Sequence, residues 1–173
     1  HNLNTRAAAL RYARENGRDY KDITVIVAHL GGGISVNLHH NGKIEDFIND
    51  EEGPFSPERA GGLPMFDVIK ECFSGRYDYK GMMKLVKMIL NIAKNIAKCA
   101  PNVCGKVDAI LLTGGIAYSQ YVTSEIEKRV SFLAPVVVYP GEDEMRSLAL
   151  GGLRVLRGQE TAKIFHKSES ANG

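Results

Sequence analysis

The sequence predicts an α/β fold on a mixed sheet, in which an antiparallel three-strand meander joins parallel β-α units and helices cover the faces. Three observations carry this. Residues 23–48 hold three strand-like runs in close succession, "ITVIVAHL", "ISVNLHH" and "KIEDFI". Two later apolar runs, "DAILLTGG" and "APVVVYPG", are each followed by a segment of helical character. Other long segments place apolar residues at helical spacing.

Taken in order, residues 3–16 predict a helix around the strong formers Ala7, Ala8, Ala9 and Leu10, with Gly17 as its C-cap. "ITVIVAHL" is rich in β-branched residues and reads as a strand buried on both faces. It ends in Gly31-Gly32-Gly33, after which "ISVNLHH" alternates apolar and polar residues. Asn41-Gly42 is a type I′ hairpin signal, and "KIEDFI" alternates again. His39 and His40 fall at that hairpin tip and read as solvated. Residues 49–64 are punctuated by Pro and Gly and read as a loop ordered by Phe55. "MFDVIKECF" predicts a short helix, with Pro64 near its start. Residues 80–99 predict one amphipathic helix with Met82, Leu85, Ile89, Ile92 and Ile96 on a stripe and lysines opposite. A further helix is expected over Ser119–Ser131. The last is "EDEMRSLALGGLRVLRG", with Glu142, Asp143 and Glu144 in its first turn, where they complement the helix dipole. Residues 167–173 read as a disordered tail.

Composition narrows the function. A formal net charge of +2, with Lys and Arg spread along 173 residues, argues against a nucleic-acid surface. No window has the length and apolarity of a membrane span, and the basic, amphipathic start lacks the apolar centre of a secretory signal. That start reads as an ordinary helix rather than a transit peptide. Cys72, Cys99 and Cys104 form no C-x-x-C pair, which fits reduced thiols in a cytoplasmic protein, packed as small apolar groups on helix faces. A first residue that is His rather than Met suggests a fragment or a processed chain.

Chemistry concentrates at two strand ends. Leu30-Gly31-Gly32-Gly33 and Thr113-Gly114-Gly115 are neither Walker nor G-x-G-x-x-G motifs. Glycines there let backbone N–H groups approach an anion; plain turns would use the same residues. His29, just before the first run, can donate to a phosphate oxygen, or it can be a satisfied rim histidine. Arg59, inside "GPFSPERAGGLP", suits bidentate phosphate or carboxylate binding. It could equally brace the loop through Glu51, Glu52 or Glu58. Among Glu142, Asp143 and Glu144, a carboxylate could hold Mg²⁺ through water beside a nucleotide, although capping alone would explain all three.

"VIVAHLGGGISV", "GPFSPERAGGLP", "LLTGGIAYS" and "APVVVYPGEDEMRSLALGGLRVLRG" closely resemble butyrate kinases, of the acetate kinase family, and "HNLNTRAAA" resembles that family's His-x-x-Asn segment. The resemblance implies an actin-like, ribonuclease H-like ATPase domain. It implies reversible phosphoryl transfer between ATP and butyrate with Mg²⁺, in the cytoplasm, by a homo-oligomer. The runner-up readings are a noncatalytic nucleotide-binding remnant, and a kinase for acetate, propionate or another short-chain carboxylate. By the same resemblance His29, Gly31, Gly32, Gly33 and Ser35 carry the second phosphate motif. Thr113, Gly114 and Gly115 carry the adenosine motif. Arg59 and His1 stand by the transferring phosphoryl group, and Glu144 is linked to Mg²⁺. Residues 1–166 would be the C-terminal nucleotide-binding domain of a two-domain kinase. The N-terminal domain, with its own phosphate motif and most of the carboxylate pocket, would be absent, and the segment near 86–105 shortened.

Overall fold

The computed structural model describes residues 2–63, 65–76, 78, 81, 87–141 and 144–158. Helix α1 spans Asn2–Glu15, followed by a 3-10 turn at Tyr20–Asp22. Strands β1 (Val25–Leu30), β2 (Ile34–His40) and β3 (Lys43–Ile48) form the meander. Helices α2 (Met65–Cys72) and α3 (Met88–Cys99) and a 3-10 turn at Ala100–Val103 lead to β4 (Ala109–Gly114). A 3-10 turn at Gly115–Tyr118, α4 (Gln120–Val130), β5 (Val136–Pro140) and α5 (Glu144–Leu156) complete the elements of the described residues. It divides into two compact units, His1–Glu142 and Asp143–Gly173. The second unit contains α5, and beyond its end at Leu156 Gly158 has a left-handed backbone (φ 69°).

The five strands lie in the order β3-β2-β1-β4-β5. β1 pairs antiparallel with β2 and parallel with β4, and β4 pairs parallel with β5. This is the mixed sheet that the sequence predicts. Alternation explains its two packed faces. Ile26, Ala28 and Leu30 of β1, with Ile34, Val36 and Leu38 of β2 and Ile110 and Leu112 of β4, meet Ile92, Ile96 and Cys99 of α3 and Ile126 and Val130 of α4. Val25, Val27, Ala109 and Leu111 point the other way, against Ala8, Ala9 and Ala13 of α1. Small side chains on α1 let that helix lie close to the sheet. The Asn41-Gly42 turn has φ of 51° and 73°, the positive pair that a type I′ hairpin requires.

Several expectations are corrected. The described helix of the 80–99 segment begins at Met88, because Lys87 is left-handed (φ 46°, ψ 51°) and a right-handed helix cannot run through it. Met82 and Leu85 lie outside the described residues, while Ile92 and Ile96 are fully buried. His39 is fully buried rather than solvated. It faces the α1 side beneath Tyr20, whose hydroxyl lies 2.7 Å from His39 Nδ1. His40 is half-buried, with Nδ1 2.8 Å from Thr24 Oγ1. Cys99 packs in the core, and burial pushes its thiol up to about 12. Cys72 and Cys104 are exposed. The 49–63 loop is ordered chiefly by its main chain: Gly62 N–H donates to Gly53 O (2.9 Å) and Ser56 N–H to Arg59 O (3.0 Å), around a buried Ser56.

Candidate functional site

β1 and β4 are parallel neighbours, so both end at the same edge of the sheet. In register, His29 of β1 stands between Ser35 of β2 and Thr113 of β4. The three buried polar residues form a row across the sheet, on the α1 face, one step before the strands end. Beyond the row lie both glycine turns. Edges of this kind, at the carboxyl ends of parallel strands, are where α/β sheets bind ligands.

The first turn is a tight hairpin, with Gly31 N–H donating to Gly33 O at 3.2 Å. The 49–63 loop docks onto it: Glu58 N–H donates to Gly32 O at 2.9 Å. A methyl group built on Gly32 would stand 2.5 Å from Glu58 Cδ, and one on Gly33 would stand 2.7 Å from Asp50 Oδ2. Two carboxylates therefore lie against adjacent glycines. Arg59 reaches the same place. Its Nε is 3.5 Å from Asp50 Oδ2, and its Nη1 donates to Glu58 O at 3.0 Å. The ion pair is with Asp50, not with the three glutamates that the sequence nominated, and the guanidinium is half-exposed.

The second turn is built differently. Gly114 has φ 93° and ψ 173°, a conformation essentially reserved for glycine. A methyl group there would stand 2.5 Å from Leu30 O. Gly114 and Gly141 exchange two backbone hydrogen bonds of 3.1 and 2.9 Å, and Thr113 Oγ1 donates to Gly141 O at 3.2 Å. Gly115 is exposed and opens onto free space, with no atom within 4 Å of a built methyl group. Tyr118 Oη lies 2.8 Å from a methyl position on Gly141.

The expected residues thus gather into one edge: His29, Ser35 and Thr113 in a row, Gly31–Gly33 and Gly114–Gly115 beyond it, and Arg59 over the first turn. His1 and the side chain of Glu144 lie outside the described residues. Glu144 opens α5 in the second unit. Asp50 and Gly141 were not anticipated, nor was the contact of Glu58 with Gly32, nor a polar group behind the row. There Asn37 Nδ2 donates to Thr5 Oγ1 at 2.7 Å, and Asn4 and Asn37 are both buried. The alternation of β2 could have revealed it. A strand paired with the doubly buried β1 has both faces covered, so Asn37 and His39 could not be facing water.

Solved acetate kinases share this fold. The enzyme of Porphyromonas gingivalis superposes with TM-score 0.68 at 19% identity, over 90% of this chain and 55% of that one. That of Entamoeba histolytica gives TM-score 0.68 at 18% identity, over 88% and 56%. The chain thus has the fold class of the acetate kinases. Within that class it is a relative of the butyrate kinases. It is 47% identical to butyrate kinase 2 of Clostridium acetobutylicum, and 45% identical to a probable butyrate kinase of Bacteroides thetaiotaomicron, in both cases over 95% of this chain. It spans 56% and 57% of those proteins' lengths. No family model matches the chain.

Proposed function

We propose that this chain is the nucleotide-binding half of a butyrate kinase, which transfers a phosphoryl group reversibly between ATP and butyrate. The observation that carries the reading is the edge itself: a row of Ser35, His29 and Thr113 leading to two glycine turns, in a chain 47% identical to butyrate kinase 2. Phosphoryl transfer asks a protein mainly to position its reactants and to offset charge. In this reading the Gly31–Gly33 turn offers backbone N–H groups to the nucleotide phosphates. The open Gly115 turn takes the adenosine. His29 donates to a phosphate oxygen, and Arg59 exchanges Asp50 for the transferring group. His1 is assigned beside that group.

Among the described residues no cluster of three His, Cys, Asp or Glu side chains is placed to hold a metal. A Mg²⁺ ion that enters on nucleotide phosphates keeps most of its waters and needs one protein carboxylate, for which Glu144 is our assignment. That ion would offset phosphate charge.

Residues 1–166 are assigned to one nucleotide-binding domain. The alignment to butyrate kinase 2 runs over 201 positions, a few tens more than 95% of 173 residues supplies, which supports a shortened segment in this chain. A cytoplasmic homo-oligomer is the expected setting; no described helix is long and apolar enough to cross a membrane. Because the chain spans little more than half of its relatives, a noncatalytic nucleotide-binding module is the second reading. Calorimetry with ATP and Mg²⁺, followed by transfer assays with butyrate, acetate and propionate, separates the two. Saturable binding with transfer to butyrate supports the kinase, binding without transfer supports the module, and no binding by a folded chain removes both.

A further inference from the structure

The first glycine turn is already covered by negative charge. Glu58 lays its carboxyl group on Gly32, with Cδ 2.5 Å and the two oxygens 2.6 and 2.7 Å from where a methyl group would stand. Asp50 does the same at Gly33, and the guanidinium of Arg59 is engaged with Asp50 and with the Glu58 carbonyl. Two carboxylates and one guanidinium leave the loop with an excess negative charge at the place the proposed function reserves for phosphate.

We infer that the Glu58 carboxylate is an internal anion that holds the position of a nucleotide phosphate on the Gly31–Gly33 turn, and that phosphate binding displaces it. The inference rests on the proposed nucleotide-binding role of that turn. The geometry suits an exchange. Glu58 is exposed, so its side chain can rotate into water. Its main chain stays anchored meanwhile by the N–H bond to Gly32 O, so the loop need not leave the turn. Arg59 is half-exposed and can trade the Asp50 carboxylate for a phosphate that accepts the same donors. Glu58 thereby weakens the binding of any anion and discriminates against ligands too weakly charged to displace it.

The test is calorimetry of ATP, ADP and adenosine on the full chain and on Glu58→Gln, with circular dichroism to verify folding. Removing an exposed charge should tighten ATP about fivefold at low salt, less for ADP, with the gain shrinking as salt is added. Adenosine, which has no phosphate, should bind both chains equally. Equal ATP affinity in the two chains overturns the inference and leaves the functional reading intact. Weaker ATP binding by Glu58→Gln also overturns it, and makes Glu58 a group that supports the ligand. If neither chain binds ATP, the inference and the functional reading both fail.

Discussion

The two glycine turns sit side by side at one sheet edge, yet they need glycine for different reasons. At Gly114 the wall is backbone: Leu30 O would lie 2.5 Å from any Cβ, and φ is 93°. At Gly32 the wall is the end of a flexible, exposed side chain, Glu58. Backbone cannot yield without separating β1 from β4, whereas a carboxylate can swing away. Gly114 therefore belongs to the fold, and Gly32 to what the fold presents. The same short motif in sequence hides two requirements, and only the neighbours distinguish them.

Gly114→Ala is the sharpest way to break this contrast. It forces a left-handed backbone on alanine and a clash with Leu30 O, so the chain should lose about 4 kcal/mol of stability in urea denaturation. A loss below 1 kcal/mol would mean that the edge is soft there too. Its neighbour is the control. Gly115 has open space around it, so Gly115→Ala should leave the urea midpoint nearly unchanged and lower only ATP affinity.

Acid separates the turns by a second route. The hairpin that carries the first turn contains His39, fully buried; β4, which carries the second, has no titratable side chain. Burial, with the nearby Arg6 charge adding to it, lowers the His39 pKa to about 4. In the unfolded chain the imidazole takes a proton below about 6.5, so between pH 6.5 and 4 the unfolded state binds more protons than the folded one. The stability that His39 contributes as a neutral group is complete above pH 6.5. It is lost as pH falls toward 4, by about 3 kcal/mol over the window. Urea midpoints measured across that range should fall more steeply for this chain than for His39→Gln.

His39 also marks the limit of what was legible. The meander, the parallel β-α units and both glycine turns followed from period and punctuation, because those patterns are set by residues close in sequence. The placement of His29, Ser35 and Thr113 in one row was implicit once the three strands were neighbours. What escaped were contacts across long separations. Tyr20 covers His39, Thr5 meets Asn37, and Asp50 rather than a glutamate takes Arg59. In each case the sequence offered several polar candidates of the same chemistry, and only the path of the chain chose among them. Lys87 escaped for the opposite reason: an ordinary helix former, it adopts a left-handed backbone with no local signal.

At the first turn, a methyl group at Gly32 displaces only the Glu58 carboxyl end. Gly32→Ala should change stability by about 1 kcal/mol or less, while ATP affinity drops because the phosphate surface is filled. A loss as large as that of Gly114→Ala would erase the distinction between the turns.

Arg59 is expected to contribute less to stability than either Gly114 or Gly32. Its pairing with Asp50 is long, at 3.5 Å, and half-exposed, so Arg59→Ala should cost about 0.5 kcal/mol in urea. If Arg59 only braces the loop, ATP affinity should stay within twofold of the unchanged chain. If it is the cation that receives phosphate, ATP affinity falls well beyond what so small a stability change can explain, and Arg59→Lys restores it only partly, since an ammonium lacks the planar pair of donors. The ratio of the two losses, in stability and in binding, is the quantity that decides between brace and ligand. Asp50→Ala supplies the counter-measurement. It removes the same ion pair but frees the guanidinium, so a ligand role predicts tighter ATP binding, and a bracing role predicts an affinity within twofold of the unchanged chain, as for Arg59→Ala.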